Sequence, residues 1–204
     1  MPLFQRFPVT PRRRLSTLLA ALTCLLAVAA VPLAAAAGPL SGTYTLSPAN
    51  IDTGFSVRVL GGGPVTGQFK TVSGNLTLDQ ERPERSRVKV TVDLNSVSTG
   101  NDKVTGFLKS PAMFDVANHP VATFQSTQVR ITGPDTADVD GVLSLRGQTK
   151  RTSLTVKITD TGGNGRVGFE VTGGFFRSFY GMQAGVPLYA DKVNLTIRGT
   201  GRRT

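Results

Sequence analysis

Histidine occurs once in this sequence, as His119, and cysteine once, as Cys24. Those counts remove most nucleophilic and metal-assisted chemistry. A hydrolytic relay could be built only around His119, which precedes Pro120 in a turn-like setting, and one histidine cannot fill a zinc shell. His119 therefore reads as structural. The "DVD" run, Asp138 to Asp140, has calcium-like letters without the loop glycine or the distal glutamate, and reads as a solvated strand start. "GNGRVG", Gly163 to Gly168, matches G-x-G-x-x-G spacing, but a strand pattern follows it. With no helix N-terminus to hold a pyrophosphate, it reads as a glycine-rich hairpin. The two "NLT" sequons, at 75–77 and 194–196, fall inside strand patterns and are discounted.

What remains is a charge among aromatics. "GGFFRSFYGM", Gly173 to Met182, sets Arg177 among Phe175, Phe176, Phe179 and Tyr180. Unbroken strand alternation from Val167 would put Val167, Phe169, Val171, Gly173, Phe175, Arg177 and Phe179 on one inward face. A buried guanidinium there must meet a carboxylate, a water or a polar ligand group. Asp191 is the expected partner. A bulge at Gly173–Gly174 would instead turn Arg177 outward.

The elements that position these residues follow an N-terminal address. Arg12, Arg13 and Arg14 precede an apolar run from Leu15 to Val31, then Pro32 and "AAAAG", the pattern of a cleavable signal peptide over residues 1–37. Cys24 would leave with it, so residues 38–204 form one domain with no disulfide and no thiolate site. Loss of Arg6, Arg12, Arg13 and Arg14 lowers the formal charge from +10 to +6. The remaining cations are dispersed, which argues against nucleic acid and leaves attraction to an anionic lipid surface open. The expected location is periplasmic or secreted, in a bacterium.

Apolar–polar alternation dominates the rest. It is clearest in "VKVTVDL" and recurs at 55–59, 75–79, 121–126, 137–145, 154–158, 167–171 and 193–198, with turn-forming runs between. Roughly eight short strands at near-regular spacing predict an antiparallel sandwich or barrel. One segment, 101–115, predicts a short helix started by Asn101 or Asp102 and stopped before Pro111, with Val104, Phe107 and Leu108 at helical spacing. Such a helix plugs one end of a barrel or simply covers core. A barrel of about eight strands is just wide enough to be filled by its side chains or to hold one slender ligand, and periodicity does not separate the two.

Several blocks in order resemble the YceI-like periplasmic and secreted proteins: "YTLSPANIDTGFSVRVLG", "VTGQFKTVSGNLTLD", "LKSPAMFDVANHPVATFQS", "GVLSLRGQTKRTSLTV", "FFRSFYGM" and "YADKVNLTI". The resemblance spans about Gly42 to Thr200. It implies an all-β, lipocalin-like antiparallel barrel with an inserted helix, holding an isoprenoid lipid such as a polyprenyl chain or quinone in an apolar tunnel. Binding or transport is implied, with no enzymatic activity and no cofactor beyond the lipid. By position, Phe55, Val57 and Val59 would line the tunnel, with Phe107, Phe114, Phe124, Phe175 and Phe179 as further candidates. Arg177 and Asp191 occupy the family's arginine and aspartate positions, as a mutual ion pair or a headgroup contact. Asn50 and Val59 replace histidines usual in the family, and Ile51 replaces a serine. The isoprenoid is the expected partner, with transient membrane-surface contact and a homodimer left open. Competing readings are a filled barrel acting as a stress-related interaction protein, and an enzyme acting on a lipid or quinone.

Overall fold

In a computed structural model, which describes residues 39–161 and 164–204, the alternating segments all become strands. The proposed signal peptide, residues 1–37, lies outside the described residues. In chain order the elements are β1 (Gly42–Leu46), β2 (Ile51–Val59), β3 (Val65–Phe69), β4 (Val72–Leu78), β5 (Arg87–Asp93), β6 (Val97–Ser98), α1 (Asp102–Lys109), β7 (Val121–Ile131), β8 (Thr136–Leu145), β9 (Gln148–Asp160), β10 (Arg166–Phe176) and β11 (Tyr189–Arg203). Every strand pairing is antiparallel, in the order β1-β4-β5-β7-β8-β9-β10-β11-β2-β3-β6, and β1 also pairs with β11. That last contact closes a barrel of eight strands, which removes the free edges of an open sheet.

The strands left over are continuations of three that bend. β1 and β2 run along the same side of β11, and opposite them β4 and β3 keep almost one register, from Gly42↔Leu78 to Val57↔Val65. A 3-10 turn at Pro48–Asn50 makes the first kink, and the turn at Leu94–Ser96 separates β5 from β6. Long strands in a small barrel coil strongly, and kinks and glycines relieve that coiling. Two inward phenyl rings lie over such glycines. A Cβ on Gly67 would meet the Phe55 ring at 2.5 Å, and one on Gly141 would meet Phe124 at the same distance. In β7 a bulge between Ser126 and Gln128 resets the alternation, so that Val129 and Ile131 join Phe124 on the inner face.

The predicted helix is shorter than the segment that suggested it. Asn101 caps α1, its side-chain oxygen accepting from the N–H groups of Lys103 (3.0 Å) and Val104 (3.2 Å). Asp102 and Lys109 match the helix dipole at the two ends. Leu108 is buried and Val104 half-buried, whereas Phe107 is 49% exposed. Positions 104 and 108 lie one above the other on a helix, and 107 is turned about a quarter-circle away, which carries its ring out of the core.

Candidate functional site

The inner faces of the strands enclose a cavity of about 450 Å³. Each wall residue follows from the period of two: Ile51, Thr53, Phe55 and Val57 from β2; Val88, Val90 and Val92 from β5; Thr152, Leu154, Val156 and Ile158 from β9; Phe169, Val171 and Phe175 from β10; Val193, Leu195 and Ile197 from β11. Val90, Val92, Val156, Val171 and Ile197 point inward yet are only half-buried, because they face a void. The barrel is not filled.

One end of the cavity is plugged. Leu108 of α1, Met113 and Phe114 from the loop after it, and Met182 close it, and the rings of Phe55, Phe69 and Phe114 form a chain with centroids 5.5 and 5.7 Å apart. Phe175 stands edge-on to Tyr180 at 5.4 Å. Burial pushes the Tyr180 hydroxyl above its ordinary pKa, partly offset by a hydrogen bond with Thr152. At the other end the wall reaches a rim containing Leu40, Gln80, Pro83, Arg87, Ile131 and Pro134, of which Gln80, Arg87, Ile131 and Pro134 are exposed. This is the open end.

Arg177 sits inside, as alternation from Val167 predicts. It is 2% exposed and lines the plugged end. Its partners differ from the expectation. Nε donates to the carbonyl of Ala190 (3.1 Å), Nη1 to those of Met182 (2.9 Å) and Ala184 (2.8 Å), and Nη2 to that of Tyr189 (3.0 Å). Four of the five guanidinium N–H groups thus hold the loop between β10 and β11. Asp191 is bound elsewhere, accepting from the Ser178 N–H (2.8 Å) and hydroxyl (2.6 Å), and no Arg177–Asp191 ion pair within 4.0 Å occurs among the described residues. Burial holds the Arg177 pKa below its ordinary value, and the charge of Asp191 pulls it partly back.

A second arginine, which sequence reasoning missed, works the same way from outside. Arg146 and Gly147 form the two-residue β8–β9 turn with φ of 50° and 72°, as hairpins of this length require. The Arg146 side chain donates to the carbonyls of Gly181 (2.7 Å) and Pro111 (2.6 Å), tying the loop after α1 to the loop after β10. His119 packs beside this turn, its ring 3.1 Å from where a Cβ on Gly147 would stand.

Of the expected site residues, the cavity wall contains Phe55, Val57, Phe114, Phe124, Phe175 and Arg177. Val59, Phe107, Phe179 and Asp191 lie outside it. Val59 pairs with Tyr189 at the far end of β2, beyond the wall. Phe179 is 58% exposed, because a 3-10 turn begins at Arg177 and ends the alternation that would have turned it inward. The Thr53 hydroxyl is buried in the wall with no hydrogen-bond partner among the described residues. Thr53→Val is expected to raise stability by about 1 kcal/mol and the melting midpoint by about 3 °C, measured by thermal unfolding.

The YceI-like domain model matches residues 44–200, from β1 into β11. The chain belongs to the YceI-like family. A UPF0312 protein of Pseudomonas aeruginosa is 32% identical over 153 residues, covering 73% of this chain and 80% of the relative. Among solved structures, Burkholderia cenocepacia BcnA superposes with a TM-score of 0.70 at 20% identity, over 76% of this chain and 98% of that one. A polyisoprenoid binding domain from Saccharophagus degradans gives 0.61 at 19%, over 80% and 99%. These two likenesses are of fold. On this YceI-like barrel, Asn50 sits in the 3-10 kink with its amide nitrogen 3.3 Å from the Ser47 hydroxyl, while Ile51 lines the cavity.

Proposed function

We propose that this protein binds one long isoprenoid lipid inside the barrel and carries it through the periplasm or outside the cell. The observation that supports this most is the cavity of about 450 Å³, walled by valine, leucine, isoleucine and phenylalanine and open at one end. Ligand pockets fall in this size range, and each methylene moved from water to such a wall gains about 0.8 kcal/mol, so no chemistry is needed to hold a chain. The polyisoprenoid binding of the Saccharophagus degradans domain supports the same reading for this barrel. The hydrocarbon tail would run toward the Phe55, Phe69 and Phe114 rings, leaving a polar head at the rim near Gln80 and Arg87. Arg177, with one N–H to spare, contributes at most one bond to the ligand.

The cavity argues against a filled-barrel interaction protein. The engagement of Arg177 with backbone argues against its use as a catalytic cation. The test is organic extraction and mass spectrometry of the protein purified without detergent or denaturant. One isoprenoid per barrel is the expected result. A lipid-free protein that also fails to take up added polyprenyl lipids would overturn the proposal.

A further inference from the structure

The plugged end of the barrel carries an apolar surface that the cavity does not use. Within the loop between β10 and β11 and its edges, Phe176, Phe179, Val186 and Leu188 are 46%, 58%, 47% and 50% exposed. Leu60, at the tip of the β2–β3 hairpin, is 74% exposed and is tied to this loop by its N–H, which donates to the Leu188 carbonyl at 2.8 Å. The rings of Phe176 and Phe179 meet at a tilt of 50° with centroids 5.4 Å apart, outside the barrel. Single exposed apolar residues are ordinary, but a cluster of large ones on adjoining loops marks a contact surface.

Its charge says what kind. Lys192 is the register partner of Phe176 and points outward beside it. Arg58 is exposed on β2 on the other flank of β11, next to Val59, which pairs with Tyr189. Arg151 is exposed on β9, three residues past the Gly173↔Leu154 pair, as Phe176 is on β10. Among the described residues none of these three cations has an ion-pair partner. A symmetric contact with a second copy of the chain would bring this basic row against itself. An anionic lipid surface accepts both features together: aromatic and aliphatic loop tips enter the headgroup boundary while the flanking cations meet lipid phosphates.

We propose that the plugged end docks on an anionic bilayer surface through Leu60, Phe179 and Leu188, with Arg58, Arg151 and Lys192 on the headgroups. The surface lies outside the cavity wall, so the proposal stands independently of what the cavity holds. The test is co-sedimentation of the purified protein with vesicles of phosphatidylcholine alone and of phosphatidylcholine mixed with phosphatidylglycerol. Binding to the mixed vesicles, lost as salt is raised, is the expected result. Changing Arg58, Arg151 and Lys192 together to Ser should weaken it about a hundredfold. The double change Phe179→Ser with Leu188→Ser should abolish it. Both variants should keep the melting midpoint and the isoprenoid content of the parent, so a failure of docking is separable from a failure of the lipid-binding reading. Equal binding to both vesicles, or none to either, overturns the proposal. So does sedimentation velocity showing a dimer that the apolar double variant dissolves, because a second copy would then own the surface.

Discussion

Arg177→Met is expected to lower stability by about 3 kcal/mol and the melting midpoint by about 10 °C. The substitution leaves the carbonyls of Met182, Ala184, Tyr189 and Ala190 without their donor at the plugged end of the barrel. Unpaired carbonyls cost on the order of 1–3 kcal/mol each when buried, and of these four bonds the one to Met182 is buried while the other three are part-buried. Removing a buried charge returns part of that, which is why the net effect is smaller than the sum. Arg177→Lys should rescue little, since a single ammonium on a flexible stem cannot reach carbonyls spread over the whole fork of the guanidinium. The measurement is thermal and denaturant unfolding, with isoprenoid content determined per folded molecule. A clamp predicts a large stability loss with the lipid content of the folded fraction preserved. A headgroup-binding residue predicts the opposite, an undiminished melting midpoint and a barrel that no longer fills. Observation of the second pattern would reverse the assignment made from the hydrogen bonds.

Arg177 also shows where sequence reading succeeds and where it stops. Its burial was legible, because alternation from Val167 through Phe175 is backbone geometry and holds until the strand ends at Phe176. Its partners were not legible. A carboxylate in a sequence is visible and four carbonyls are not, yet the loop that folds around the guanidinium presents carbonyls while Ser178 takes Asp191. The same limit explains Phe179, which one 3-10 turn moves from the inner face to the surface, and Phe107, which a quarter-turn of α1 does the same to. Each of the alternating segments read from the sequence falls on a different one of the barrel's eight strands, so the architecture was legible in the valines. The kinks at Pro48–Asn50, at Lys70–Thr71 and at Leu94–Ser96, which make β1, β3 and β6 separate elements, depend on the coiling of the closed barrel, and that is a property of all the strands together. Arg146 belongs with these: it falls in one of the turn-forming runs between alternating segments, but its grip on the two loops is a long-range contact with no local signal.

Val171→Trp should separate an occupied tunnel from an incidental void. Val171 stands on β10, registered with Val156 on β9 and Ile197 on β11, and all three line the cavity. An indole there would fill open space, so the usual cost of overpacking, about 1–3 kcal/mol, should largely be absent. Val167, on the same strand and the same face, is the control. It is 0% exposed and outside the cavity wall, so Val167→Trp should incur that cost and more while leaving the tunnel open. Extraction and mass spectrometry are expected to show isoprenoid content reduced at least about tenfold in Val171→Trp, with a melting midpoint within about 3 °C of the parent without lipid, a shift equivalent to roughly 1 kcal/mol. Val167→Trp should show the reverse, a lowered midpoint with lipid retained in the folded protein. Should Val171→Trp keep its lipid, the chain would have to lie elsewhere than along the β9–β10–β11 wall, and the tunnel would lose its ligand. If instead both variants are destabilised alike, Val171 must be packed as tightly as Val167 in solution, and the barrel is filled after all. The comparison within one strand is what gives the result its force, because both substitutions add the same bulk to the same sheet and differ only in what they face.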